Sequence, residues 1–174
     1  MSLLPILKFP DPKLRQVSKP VTVFDENLAS LAKDMKETML AAPGAGLAAP
    51  QIDKFIRLVV IDASLEDEEY GSRVLTLINP EIISEEGNII YNEGCLSIED
   101  LQSKVARANK VKVKALDLEG RGFVFTGEGR QAVVLQHEID HLNGILFIDH
   151  LSRLKRDMYI KRLQKLQSHS QSQG

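Results

Sequence analysis

The segment Gln136-His137-Glu138-Ile139-Asp140-His141 holds the residues of this chain best suited to chemistry. It reads H-E-x-x-H, and on a helix positions four apart lie one turn apart on the same face. His137 and His141 can then turn a ring nitrogen toward one divalent metal ion. Glu138 stands beside the first of them, where it can take a proton from water activated on that metal. Such a unit hydrolyses amide-like bonds. Val133, Val134, Leu135, Ile139 and Leu142 surround the motif, so the helix is expected to be buried. Buried imidazoles and carboxylates need partners, and a metal ion is an economical one. The competing reading is a surface helix with two unconnected histidines.

A hydrolytic tetrahedral site takes three protein ligands and keeps a fourth position open. The extended pattern H-E-x-x-H-x-x-G-x-x-H is followed through Gly144 and then broken by Phe147, and no Glu occurs after Glu138. Asp157 lies among basic residues, and His150 and His169 have less suitable surroundings. Upstream stands Cys95, the only thiol, within Glu93-Gly94-Cys95-Leu96-Ser97. A lone Cys can equally be a small buried hydrophobe. The residues alone leave the third ligand open.

What must position these groups is a chain of 174 residues, 43% hydrophobic and 26% charged, enough for one globular domain with a substantial core. A net charge of -2 gives no reason to expect DNA as a partner. One Cys forms no internal disulfide, which fits a reducing setting, cytoplasmic or, as the alternative, organellar after removal of a transit peptide. No export segment or membrane span is expected. The Pro-rich first twenty residues read as irregular. A helix is expected from Asp25, a plausible N-cap, with Leu28, Leu31, Ala32, Met35 and Met39 at helical spacing, ending at Ala42-Pro43-Gly44. The small residues of Gly44-Ala45-Gly46-Leu47-Ala48-Ala49-Pro50-Gln51 suit an extended segment that lets another backbone approach closely. Strands are expected over 56–61, over 74–83 with an interruption at Pro80, and over 110–116, the last paired through Glu119-Gly120-Arg121-Gly122 with 123–125. An acidic loop spans 62–72. A basic final helix over 151–166 precedes a polar tail, 168–174, expected to be disordered, so the single domain is placed at 1–167.

Taken by three of its segments, the chain resembles the peptide deformylases, in the bacterial type found in Gram-negative species. The likeness rests on Gly44-Ala45-Gly46-Leu47-Ala48-Ala49-Pro50-Gln51, Glu93-Gly94-Cys95-Leu96-Ser97 and Gln136-His137-Glu138-Ile139-Asp140-His141, in that order, and runs from about Ile6 to the final helix. It implies an α+β fold, with antiparallel sheets packed around the central motif helix and a helix toward each terminus. It implies removal of the formyl group from the N-terminal formylmethionine of new polypeptides, with release of formate. By position, Cys95, His137 and His141 would bind the metal and Glu138 would be the general acid/base. Gln51 and the Leu96 N–H would hold the oxyanion. Gly44, Ala45, Gly46, Leu47, Gly94 and Val134 would line the substrate site. The resemblance implies Fe²⁺, which Zn²⁺, Ni²⁺ or Co²⁺ can replace. Partners would be formylmethionyl nascent chains and, through the basic last helix, the ribosome; the protein is expected to be a monomer. Asp140 is a candidate for orienting a ligand histidine.

The sequence departs from the family around the substrate. Glu99-Asp100-Leu101-Gln102 stands where relatives continue with Pro and, a few residues on, an Arg. Ala45 replaces a larger Val or Ile, and Arg130 sits where an apolar residue is common. These changes bear on substrate fit and leave the metal set intact. A metallopeptidase is the nearest rival reading, and a protein with a structural metal whose basic helix is its working surface is another.

Overall fold

A computed structural model describes the backbone of residues 3–172 and side chains through Ser168. Helix α1 (Glu26–Ala41) is capped by Asp25, whose side chain accepts from the Leu28 N–H at 3.0 Å. Strands β1 (Gly46–Ala48), β2 (Leu58–Asp62), β3 (Val74–Glu86), β6 (Lys110–Leu116) and β7 (Gly122–Glu128) form an antiparallel sheet in the order β1-β2-β3-β6-β7. Strands β4 (Ile89–Cys95) and β5 (Ile98–Arg107) pair as a separate hairpin. Helix α2 (Arg130–Leu142) carries the H-E-x-x-H segment, and α3 (Arg153–Ser172) ends the described chain.

Burial explains the layering. All five residues of β2 are buried, so its run Leu-Val-Val-Ile-Asp is apolar without alternation. Val59 and Ile61 pack with Leu135, Ile139 and Leu142 of α2, while Leu58 and Val60 pack with Leu28, Met35 and Met39 of α1. The sheet therefore lies between the two helices, and α2 touches β1, β2, β6 and β7. A third cluster joins the hairpin, through Ile98 and Val105, to Leu14, Phe147, Ile148, Leu151 and Tyr159. These antiparallel sheets around α2 give the α+β class expected from the resemblance.

Several local expectations change. β3 continues past Pro80 because the chain bulges there: its register against β6 shifts between Ile78 and Glu81, with Asn79 at φ 51°. The Asn79 side chain pairs with both backbone groups of Val21, accepting at 2.8 Å and donating at 3.0 Å. The segment after Gly46 is extended only to Ala48 and then tightens into a 3-10 turn, Ala49–Ile52. A second such turn, Pro12–Arg15, lies in the Pro-rich beginning. The polar run expected to be disordered from residue 168 continues α3 to Ser172, since no Gly or Pro interrupts it. Gln173 and Gly174 lie outside the described residues.

Helix α2 stops at a left-handed glycine. Gly144 has φ +71°, its N–H donates to the His141 carbonyl at 3.1 Å, and the Ile145 N–H reaches the Asp140 carbonyl at 3.0 Å. A Cβ here would collide with the backbone carbonyl of Arg15. Gly144→Ala combines that collision with φ strain and is expected to cost at least ~2 kcal/mol of stability, read as a lowered urea midpoint; an unchanged midpoint would contradict this account.

Candidate active site

Three donor atoms meet at the inner end of a cleft. His137 Nε2 and His141 Nε2 stand 3.2 Å apart, and Cys95 Sγ lies 3.4 Å from His141 Nε2. Edges of a tetrahedron with metal–nitrogen and metal–sulfur bonds of ordinary length are about 3.3–3.6 Å, so these two separations suit a single ion, and all three donor atoms lie within 4.8 Å of one another. Among the described residues this is the group able to hold a metal. Cys95 arrives because the β4-β5 hairpin turns tightly, pairing Cys95 with Ile98 across two residues. Phe147, standing where the extended motif has its third His, stacks on the His137 ring at 6.1 Å between centroids. His150 is elsewhere, and Asp157 pairs with Arg153 on the exposed face of α3.

The ring of His137 is held by Glu93, not by Asp140. Its Nδ1 lies 2.9 Å from Glu93 Oε1, which leaves Nε2 to face the other donors. Glu93 is gripped by Arg107 through two bonds of 2.7 and 2.9 Å, and the third arm of the guanidinium reaches Asp140 at 2.7 Å. Asp140 meets His150 at 2.9 Å. Burial pushes the Glu93 carboxyl up, but hydrogen bonds from Arg107 and His137 outweigh it and bring it down to about 2. His137 is burdened by burial, yet hydrogen bonds to Cys95 and Glu93 hold it well above the usual imidazole range. His141 is driven well below that range by burial and by the His137 and Arg107 charges. Two adjacent buried imidazoles are not both positively charged.

Sequence reasoning missed Glu93 and Arg107 as site residues. Glu93 opened a quoted motif without a role. Arg107 ends β5, a strand not expected, although Leu101, Ser103, Val105 and Arg107 alternate inward between more exposed Gln102, Lys104 and Ala106. That period of two was the available signal.

Glu138 is buried beside this group, with Oε1 3.8 Å from His137 Nε2 and Oε2 without a hydrogen-bond partner. Burial raises its carboxyl to about 7, against the His137 charge and with help from Glu93 and Asp140. Gly46 makes room for it: a Cβ there would come within 2.7 Å of Glu138 Cγ. Gln51 is also buried; its Oε1 accepts from the Ala48 N–H at 2.9 Å, and its Nε2 lies 3.1 Å from Ser97 Oγ and 3.7 Å from Cys95 Sγ. Leu96 occupies the first turn position, where its N–H lies outside the ladder.

The cleft has a volume of about 990 Å³, and Gly44, Ala45, Gly46, Gly94, Leu96 and Val134 line it together with His137 and Glu138. Leu47 differs: its side chain is buried in the core against α1, so only its backbone can serve the cleft. Glu99 and Arg130 are both in the lining. Glu99 is partly neutralised by Lys8, which approaches it at 3.2 Å and donates to the Leu96 carbonyl at 2.7 Å.

Glu93 generates a test. A carboxylate whose pKa falls on folding contributes stability that is present above its ordinary value of 4.5 and is lost as pH drops through about 2. The shift corresponds to something on the order of 3 kcal/mol. For metal-free protein the urea midpoint should fall across this window, and Glu93→Gln should flatten the fall. Identical profiles would refute the assignment.

Comparison with known proteins agrees with this geometry. The family model described as polypeptide deformylase matches residues 3–157. A peptide deformylase of Mesorhizobium japonicum is 53% identical over 167 residues, covering 95% of this chain and 94% of its own. One from Brucella suis is 50% identical, with 97% and 95% covered. Among solved structures, the peptide deformylase of Legionella pneumophila superimposes with a TM-score of 0.87 at 48% identity, covering 97% of this chain and 98% of its own. That of Ehrlichia chaffeensis gives 0.89 at 35% identity, with 97% and 99% covered. The chain belongs to the polypeptide deformylase family, metal-dependent hydrolases that remove the N-formyl group from nascent peptides.

Proposed function

We propose that Cys95 Sγ, His137 Nε2 and His141 Nε2 hold one divalent cation, and that Glu138 is the general acid/base in hydrolysis of the formamide of N-formylmethionyl peptides. The observation that carries this reading is the convergence of the three donors beside a buried carboxyl with an unpartnered oxygen, at the inner end of an open cleft. A cation there would supply Lewis acidity, making water more acidic and polarising the formyl oxygen. Glu138, with a carboxyl near neutrality, takes a proton from the attacking water as the C–O bond forms and gives it to the amine nitrogen as the C–N bond breaks. Formate and a free N-terminus leave. Gln51 Nε2–H and the Leu96 N–H serve as donors to the oxygen as it gains charge, each worth about 3 kcal/mol of barrier. Gln51 is pre-aligned for this by the Ala48 N–H on its Oε1. The Gly44-Ala45-Gly46 backbone and Gly94, small on both sides of the cleft, and Val134 receive the substrate.

Fe²⁺ is the resident metal in this reading, with Zn²⁺, Ni²⁺ or Co²⁺ as replacements; a thiolate and two imidazoles also suit zinc. A monomer working in the cytoplasm on nascent chains completes it. Glu138→Gln should retain about one metal per chain and lose roughly 10²–10⁴-fold in formate release from a formyl-Met peptide by anaerobically purified protein. Full activity in that variant would remove Glu138 from the mechanism.

The ribosome is the proposed partner of α3. Arg153, Lys155, Lys161, Arg162 and Lys165 are exposed along it, while Tyr159 is buried and donates to the Glu99 carbonyl at 3.0 Å. Charge reversal therefore tests the surface better than truncation. Lys161→Glu with Arg162→Glu and Lys165→Glu should weaken ribosome binding and flatten its salt dependence, with peptide turnover held within about twofold. Binding unaffected by all three changes would eliminate this contact.

A further inference from the structure

Arg130, Val134 and Glu138 stand at successive positions four apart on α2, so they share one face of the helix, and all three line the cleft. At 1.5 Å of rise per residue, Arg130 lies roughly 12 Å along the axis from Glu138. In a formylmethionyl substrate, six bonds separate the formyl carbon from the thioether methyl, a span of roughly 7 Å when extended. With the reacting group about 3 Å from the Glu138 carboxylate, a first side chain that runs along this face passes Val134 and spans most of the distance toward Arg130.

That guanidinium is held in place without being used up. Its holder, Asp62, is buried, and its carboxylate is fixed by the Ser64 hydroxyl at 2.7 and 2.9 Å, the Ser64 N–H at 3.2 Å and the Gly71 N–H at 3.3 Å. Arg130 meets it through two long contacts, Nη2 to Oδ2 at 3.5 Å and Nη1 to the Asp62 carbonyl at 3.4 Å. Among the described residues it makes no other hydrogen bond, and its side chain keeps 29% exposure. A guanidinium has five N–H donors, so donors remain for a ligand. Ala45, a small residue, lines the same cleft.

We propose that Arg130 closes the subsite for the substrate's first side chain, and that this subsite accepts formylated peptides whose first side chain ends in an uncharged oxygen acceptor. Methionine sulfoxide is the member of that class with the shape of methionine. The proposal rests on Glu138 as the group at the reacting carbon. A thioether sulfur is a weak acceptor and displaces water from the guanidinium with little return, whereas a sulfoxide oxygen takes a charge-assisted hydrogen bond. An apolar pocket end would discriminate the other way, because it strips water from the sulfoxide and offers nothing back.

The test compares formyl-Met-Ala-Ser with its methionine sulfoxide counterpart on the metal-loaded enzyme. The expected wild-type kcat/KM for the sulfoxide peptide equals or exceeds that for the thioether peptide. Arg130→Leu should lower the sulfoxide-to-thioether ratio at least tenfold, through KM of the sulfoxide peptide, and Arg130→Lys should lower it less. A ratio unchanged by Arg130→Leu, or a wild-type enzyme that rejects the sulfoxide more than tenfold, overturns the proposal. If Arg130→Leu does not fold, the wild-type ratio and Arg130→Lys decide alone. No formate from either peptide would overturn the deformylase reading, and this proposal with it.

Discussion

Arg107 is buried to 4% side-chain exposure, and a guanidinium so placed must be met by acceptors on every side that it faces. It is met by Glu93 from β4 and by Asp140 from α2, while it stands itself at the end of β5. One charge therefore ties both strands of the hairpin to the helix that carries the histidines. The same carboxylate then turns the His137 ring, so the charge that fastens the hairpin also sets the direction of a donor nitrogen. Removing any one of these groups leaves a buried partner unmatched. Site geometry and local stability thus share their cause.

The extent to which this was legible in the sequence follows from how local each signal is. The motif helix could be read from four-residue spacing and flanking apolar residues, and α1 from its cap and its stripe. The hairpin β6-β7 showed in alternation and a Gly-containing turn. Residues whose role depends on distant partners were not legible. Cys95 could be assigned only through resemblance, because nothing in its own neighbourhood says that a helix over forty residues later will face it. Arg107 carries no local signal of its role, although its guanidinium bonds both Glu93 and Asp140. Asp140, four residues from Gln136 and next to a histidine, suggested a ligand-orienting role by proximity, yet on the helix it points toward Arg107 and His150. The Pro80 interruption is a bulge with Asn79 bonded to Val21, across which β3 runs on to Glu86, three residues past the expected end.

Two glycines show how the cleft depends on the absence of side chains. Gly46 lies against Glu138 and Gly44 against Leu96, where a Cβ would come within 2.7 and 2.6 Å of a side-chain carbon. The backbone of this segment, with β1 at the edge of its sheet, is thereby set against both the buried Glu138 carboxyl and the turn that follows Cys95. Its other polar feature, Arg130 with Asp62, lies farther out on the same helix face. The cleft thus joins buried charges around the histidines to partly solvated ones, Arg130, Lys8 and Glu99, elsewhere in its lining.

The turn at Leu96-Ser97 has a consequence for motion. Glu93, Cys95 and Leu96 belong to one two-stranded ribbon, His137, Glu138 and His141 to one helix, and Gln51 to a short turn pinned to Ser97 of that ribbon. These seven residues are thus distributed over three pieces of regular structure. Thermal displacement moves them as sets, so a drift that carries Cys95 away from the imidazoles carries Leu96 with it. The mutual spacing of the groups on each piece survives the fluctuation.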